Sequence, residues 1–310
     1  MATRTLESPP SILPLYARAA APMIPGASLL PGIPGGGGEI PELSLELAGA
    51  RAEPGEVAAY ARVCGFTLRD DLPATYPHIL AFPLQMAVMA DGSFPFGAVG
   101  LVHIENVITQ YRPIGLDEEL RLTVRPTGLE PHPSGRTFSL VTEAWVGRQK
   151  AWEEVSTMLR RGKPADSADG PKSDATRRDS ADRPEEVSGE WRLGGDLGRR
   201  YAAVSGDRNP IHMHAWTAKP LGFKRAIAHG MWTKARCLAA LESRLPDAFR
   251  VEVRFRKPIF LPGRVEFLAD AGGDGEIAFA VRDAGRETPH LDGRVKRIEA
   301  KKRTERKRDQ

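Results

Sequence analysis

In the C-terminal part of the chain the spacing of apolar positions changes period twice. Residues 197–206, LGRRYAAVSG, read as a short helical piece that runs into a polar loop. In MWTKARCLAALESRL, residues 231–245, Ala235, Leu238, Leu241 and Leu245 recur three or four apart, which predicts an amphipathic helix stopped by Pro246. The period then becomes two. RVEVRFR, GRVEFLAD, EIAFAVRD and HLDGRVKRI alternate apolar with polar positions between turn residues, and predict antiparallel strands. One helix followed by a run of strands predicts an α+β unit in which a curved sheet wraps a single helix.

The N-terminal part repeats this layout. YARVCGF at 60–66 matches YAAVSGD at 201–207 at Tyr, Ala, Val and Gly, and YRPIGLDEELRL at 111–122 aligns without a gap on RKPIFLPGRVEF at 256–267. Between them LAFPL at 80–84 falls opposite IAHGM at 227–231. Three anchors in one order indicate an internal duplication of a unit of about 110–120 residues. The expected organisation is an N-terminal arm (1–45), a first unit (46–162), a linker (163–188), a second unit (189–298) and a basic tail (299–310), with the two sheets paired edge to edge. Residues 24–39 are too rich in Pro and Gly for a helix or central strand, and 163–188 lack large apolar residues almost completely.

Charge changes this picture little. The formal net charge is +4, but the last fifteen residues hold eight Lys/Arg against three Asp/Glu, a net of +5, which leaves the body at −1. The basicity belongs to the tail, and no nucleic-acid face is expected. Cys64 and Cys237 show neither disulfide-framework nor zinc-ligand spacing, so reduced buried thiols are expected. No run of about 18 apolar residues is present, so no membrane span is expected, and the N-terminal stretch lacks a signal-peptide core. Cytoplasmic residence is the expectation by elimination.

The chemistry concentrates in YAAVSGDRNPIH, residues 201–212. Asp207 and His212 lie five residues apart on a loop bent by Gly206 and Pro210, and both can address one small volume. An acid and a base sharing one water could orient it, remove a proton and return another. Asn209 could hold the carboxylate or the water without changing charge. Asp207 and Asn209 suit helix capping equally well, and on these residues alone the two readings stand level. IAHGM adds Gly230 at the head of the predicted helix. Its N–H, with the positive end of the helix dipole behind it, suits an oxygen that gains negative charge; a glycine kept only for packing is the alternative. The aligned first copy has Pro83 opposite Gly230, Phe66 opposite Asp207 and Asp71 opposite His212, so the site is expected in the second half alone.

SGDxNPIH followed by AHGM resembles the signature of the type-two, (R)-specific enoyl-CoA hydratases, the MaoC-like dehydratases. The match takes in Tyr201, Ser205, Gly206, Asp207, Asn209, Pro210, His212, Ala218, Gly222, Phe223 and Ala228 to Met231, about 40 residues strongly and, through the two-copy layout, most of the chain. TYPHILAFP at 75–83 is similar to the degenerate N-terminal repeat of double hot-dog members, especially the actinobacterial (3R)-hydroxyacyl-thioester dehydratases. The resemblance implies a double hot-dog fold and reversible syn addition of water to trans-2-enoyl thioesters in fatty-acid metabolism, on medium to long chains. It implies that Asp207 and His212 hold the water, with Ser205 and Asn209 in support, and that the Gly230 N–H receives the thioester oxygen. Phe223, His229 and Met231 are substrate-binding candidates, as are Lys219, Lys224, Arg225, Arg256 and Lys257 for the phosphates of the carrier.

No metal or other cofactor is expected. The expected partners are an acyl-CoA or acyl-carrier-protein thioester and a second copy of the chain in a homodimer. As a ligand set, Asp207, His212, His214 and His229 form a weak pattern. Two other readings remain open at this point: a hot-dog acyl thioesterase, whose water attacks the thioester carbonyl, and a non-catalytic acyl-binding subunit. The apolar runs 79–89 and 94–104 of the inactive half are expected to line an acyl tunnel.

Overall fold

The computed structural model describes residues 2–21, 33–34, 38–162, 184–272 and 275–300. Most of the run 24–39, the linker from 163 to 183 and the tail from 301 onward lie outside the described residues. The first half comprises β1 (Ala2–Leu6), α1 (Ile12–Ala20), β2 (Leu43–Ala50), α2 (Pro54–Cys64), α3 (Tyr76–Met89), β3 (Leu101–Gln110), β4 (Leu120–His132), β5 (Gly135–Val146) and β6 (Gln149–Arg161). The second comprises β7 (Val187–Leu193), α4 (Leu197–Ser205), α5 (Gly230–Ala240), β8 (Phe249–Phe255), β9 (Gly263–Ala269), β10 (Glu276–Asp283) and β11 (Pro289–Arg297).

The strands form one sheet in the order β1-β2-β4-β5-β6-β3-β8-β11-β10-β9-β7. Read inward from each edge, the halves follow the same order, β2-β4-β5-β6-β3 and β7-β9-β10-β11-β8. They meet at the antiparallel β3–β8 pair, where Ile108 faces Val251 and both are fully buried. This edge-to-edge joint leaves neither inner edge with unpaired backbone groups. Along β4 and β8 buried residues alternate with partly exposed or exposed ones, because one face of the sheet covers the helices. Enclosure makes α3 apolar nearly all round, with Tyr76, Ala81, Phe82, Leu84, Met86, Val88 and Met89 buried. Cys64 and Cys237 are buried free thiols.

Three features differ from the sequence reading. The helix expected over 231–245 ends at Ala240, and a 3-10 turn over Glu242–Arg244 follows. That tighter turn keeps Leu241 and Leu245 against the core, so the apolar spacing outlasts the α-helical hydrogen bonds. The N-terminal arm carries its own structure: β1 pairs in parallel with β2, and Ile12, Leu15 and Tyr16 of α1 pack on the core.

The third difference concerns the repeat. Gly65 and Gly206 are equivalent left-handed caps, of φ 87° and 74°, ending α2 and α4. The bridge Asp71–Gly115 in the first half has its counterpart in Ile227–Phe260. Asp71 is therefore the counterpart of Ile227, not of His212. Pro83 lies inside α3 and is not opposite Gly230; Tyr76 heads that helix, and its N–H is spent on Pro73 O at 2.7 Å. Six residues separate Gly65 from Asp71, whereas twenty-one separate Gly206 from Ile227, so the first half lacks most of the polar loop outright. The misalignment arose because LAFPL and IAHGM share apolar positions without sharing a place in the fold.

Truncating Ile108 to Ala at the β3–β8 joint is expected to cost about 2–5 kcal/mol of stability in chemical denaturation. The same truncation at Leu13, which is 69% exposed, is expected to stay within about 0.5 kcal/mol.

Candidate active site

The polar loop folds as its turn residues dictate. Gly206 ends α4 in the left-handed conformation, and Asp207 then closes an Asx turn, accepting the Asn209 N–H at 3.0 Å while its own N–H donates to Ser205 Oγ at 3.2 Å. Asn209 caps the single helical turn Pro210–Met213, its side-chain oxygen accepting the Ile211 N–H at 3.4 Å. Capping and site-building thus coexist in one loop, and Asn209 spends its side-chain oxygen on the cap. Gly198 on α4 lets the loop approach: a Cβ there would overlap the His212 carbonyl.

His212 is buried, and its Nδ1 lies 2.8 Å from the Ile227 carbonyl. A carbonyl only accepts, so Nδ1 carries the hydrogen and Nε2 keeps its lone pair in the neutral ring. Burial lowers the His212 pKa, against the opposing pull of Asp207 and of the Ile227 carbonyl. His229 stacks on this ring, centroids 3.7 Å apart, and donates from Nε2 to the Asp207 carbonyl at 3.0 Å. Burial first, then the His212 ring, pushes His229 down to about 3, so it is a neutral member of the site. Burial alone would raise the Asp207 carboxyl; His229, His212 and the hydrogen bonds from Tyr16 and Asn209 outweigh it and hold the group below the usual carboxylate value.

The side-chain ligand atoms of Asp207, His212 and His229 lie within 4.8 Å of one another. One bridging water, about 2.8 Å from each partner, covers such a span. These three are also the described residues that could hold a metal ion. His214 takes no part: it caps the turn Ala215–Ala218 and stacks on the exposed Trp216.

Gly230 heads α5, no side chain caps that helix, and the residue lines the same cavity as Asp207 and His212. A Cβ at 230 would lie 3.0 Å from the Phe255 ring, so a larger residue would crowd the helix head. The cavity, about 280 Å³, is far larger than one water needs. It runs from the polar loop along α3, past Ile79, Phe82 and Met89, to Leu101, Leu140 and Leu159. Both apolar runs expected to form a tunnel, 79–89 and 94–104, contribute to its lining. Ser205, Asn209, Phe223, His229, Met231, Arg256 and Lys257 line it as well, whereas Lys219, Lys224 and Arg225 do not. The Arg225 guanidinium is turned to the Pro262 carbonyl and lies over the Phe260 ring.

The sequence reading missed Tyr16. Its hydroxyl donates to Asp207 Oδ1 at 2.8 Å and accepts the Arg208 N–H at 2.7 Å, so the N-terminal arm closes over the polar loop from 191 residues away. With Oδ1 occupied by Tyr16 and Asn209, Oδ2 is the carboxylate oxygen left for a water. No motif surrounds Tyr16, and its apolar neighbours in ILPLYARAA are its only signal in the sequence.

An enclosed helix wrapped by an antiparallel sheet, present twice and joined edge to edge, defines a double hot-dog protein, and among the described residues its candidate site is the polar loop beside the head of the second helix. The comparisons agree. The MaoC like domain family matches residues 184–287. The 3-hydroxyacyl-thioester dehydratase X of Mycobacterium tuberculosis is 39% identical over 258 residues, 83% of this chain and 90% of that protein. The crystal structure of HtdX of the same organism superposes with a TM-score of 0.72 at 36% identity, covering 82% of this chain and 100% of that one. A second M. tuberculosis structure, described as having a double hot-dog fold, gives a TM-score of 0.51 at 15% identity over 80% of this chain and 92% of its own. The chain belongs to the MaoC-like dehydratase family.

Two expectations follow for the pH profile of kcat/KM. Because burial keeps His212 neutral to below its ordinary 6.5, the profile should show no break near 6.5 and should fall only at lower pH. Tyr16→Phe keeps the ring but removes a donor from the carboxylate, so the Asp207 pKa should rise and the acid limb should move to higher pH. An Asp207 carboxyl titration left unmoved by Tyr16→Phe, followed by ¹³C NMR, would make Tyr16 a packing residue only.

Proposed function

We propose that the chain catalyses the reversible (R)-specific hydration of trans-2-enoyl thioesters, equivalently the dehydration of (3R)-hydroxyacyl thioesters, in fatty-acid metabolism. The observation that carries this reading is the convergence of the Asp207 carboxylate and the His212 ring within 4.8 Å, in a cavity that Gly230 also lines. Hydration needs a water held by an acid–base pair and a donor for the carbonyl oxygen. In the forward direction the water oxygen bonds to C3 while one member of the pair takes its proton. The electron pair of the C2–C3 double bond moves toward the thioester, whose oxygen gains charge against the Gly230 N–H at the head of α5. The coupled pair returns that same proton to C2, and the atoms of water end on adjacent carbons of one face. The proton roles belong to the coupled pair Asp207 and His212.

The names of the relatives support the same substrate class. One is a 3-hydroxyacyl-thioester dehydratase, and a 3-hydroxybutyryl-CoA dehydratase of Methylorubrum extorquens is 37% identical over 70 residues, 21% of this chain and 45% of that protein. The cavity along α3 takes the acyl chain, of medium to long length. Arg161 and Lys257, both in its lining, meet the phosphates of the carrier, whether coenzyme A or acyl carrier protein.

Asp207→Asn and His212→Ala should each lower kcat of hydration by about 10²–10⁴, with unchanged circular dichroism and melting temperature. Equal activity in either variant would remove that residue from the mechanism. In wild type, kcat/KM should be higher for dodecenoyl-CoA than for crotonyl-CoA, and the reverse order would contradict the acyl route along α3.

A further inference from the structure

The wall of the acyl cavity is not uniformly apolar. Where α3 faces β6, His78, Gln85 and Ser156 line it, and all three belong to a buried polar network centred on Glu154, which is fully buried. The Glu154 carboxylate accepts from His78 Nδ1 at 2.8 Å, Gln85 Nε2 at 3.1 Å and Asn106 Nδ2 at 2.7 Å. Asn106 also donates to Ser156 Oγ, and its oxygen receives the fully buried Lys234 ammonium of α5 at 2.5 Å. Gln85 completes its bonding on Thr142 Oγ1 at 3.0 Å. The carboxylate is thus satisfied inside the protein, and one ring edge is left over. The carboxylate takes the Nδ1 side of the His78 ring, and Nε2 is the ring's other hydrogen-bonding atom.

The His78 ring lies one turn before Phe82, with ring centroids 6.2 Å apart, and Phe82 in turn lies 3.8 Å from the Cβ position of Gly206 in the catalytic loop. An acyl chain that runs from Asp207 along α3 therefore passes this imidazole. A plain alkyl chain would strip water from Nε2 and return nothing, a mismatch that sites built around one polar group use to reject the analogue lacking its complement.

We infer that the His78–Glu154 pair is a specificity site for acyl chains that carry a hydroxyl group beyond C3, with Nε2 of His78 hydrogen-bonded to that hydroxyl. This rests on the proposed route of the acyl chain and adds the chemical class of substrate. The Glu154 carboxylate serves as the positioning group that fixes the ring.

The test compares trans-2-dodecenoyl-CoA with its positional hydroxy derivatives. In wild type one hydroxyl position should give a kcat/KM at least about tenfold above the plain chain, and in His78→Phe that ratio should fall to one or below. A plain chain preferred over every derivative would overturn the inference, as would a ratio unchanged in His78→Phe. Should that variant fail to fold, ¹⁵N-histidine NMR of the wild type decides. The His78 Nε2 resonance should shift on adding the preferred hydroxyacyl-CoA and not its unsubstituted counterpart; identical spectra would overturn the assignment. Because the NMR arm needs no turnover, it judges the hydroxyl site separately, whereas absent hydration of every chain would strike the proposed reaction.

Discussion

The antiparallel pairing of β3 with β8 is the constraint on which everything else rests. Each of these strands is the inner edge of its half-sheet, and each satisfies the backbone of the other from Glu105–Arg254 to Gln110–Phe249. The pairing makes one sheet of two and sets both helices on one covered face. It thereby brings the polar loop of the second half against α3 of the first. A catalytic loop needs a rigid frame to hold an acid and a base at water-bridging distance, and a long acyl group needs a wall to lie along. In the proposed function the duplication separates these tasks: the second half supplies the loop and the helix head, and the first supplies the wall. Loss of most of the polar loop between Gly65 and Asp71 is what leaves the first half free for its role.

The electrostatics of the site follow from burial set against a few well-placed partners. Desolvation alone would neutralise Asp207, yet two imidazoles and two hydrogen-bond donors keep it a carboxylate. The same burial keeps both stacked imidazoles neutral, since two cations with centroids 3.7 Å apart in a desolvated site would repel. The result is one anion beside one basic nitrogen at neutral pH, a state in which a proton can be taken from water and then passed on. The N-terminal arm belongs to this balance, because Tyr16 is the side-chain donor to the carboxylate.

Legibility in the sequence followed the range of the interactions. The strands of the second half could be read because one covered sheet face imposes a period of two, and the polar loop could be read because its turn residues and its chemistry lie within twelve residues. The alternative between capping and catalysis could not be resolved there, since one loop holds both the Asn209 cap and the approach of Asp207 to His212. Tyr16 and the Glu154 network were illegible for the opposite reason. Their partners are dozens to nearly two hundred residues away, and a single Tyr, His or Glu in an apolar or alternating stretch carries no mark of them. The repeat was recognised by its flanks, but its centre slipped by several residues, because apolar similarity within a helix does not fix a register.

The central claim is that one water, shared by the 207 carboxylate and the 212 ring, is added to C3 of the bound enoyl chain. Chiral chromatography of the thioester formed from trans-2-dodecenoyl-CoA tests this most directly. The account predicts (3R)-hydroxydodecanoyl-CoA with the thioester bond intact. Release of free coenzyme A without a hydroxyacyl product, or a product of (S) configuration, would contradict it.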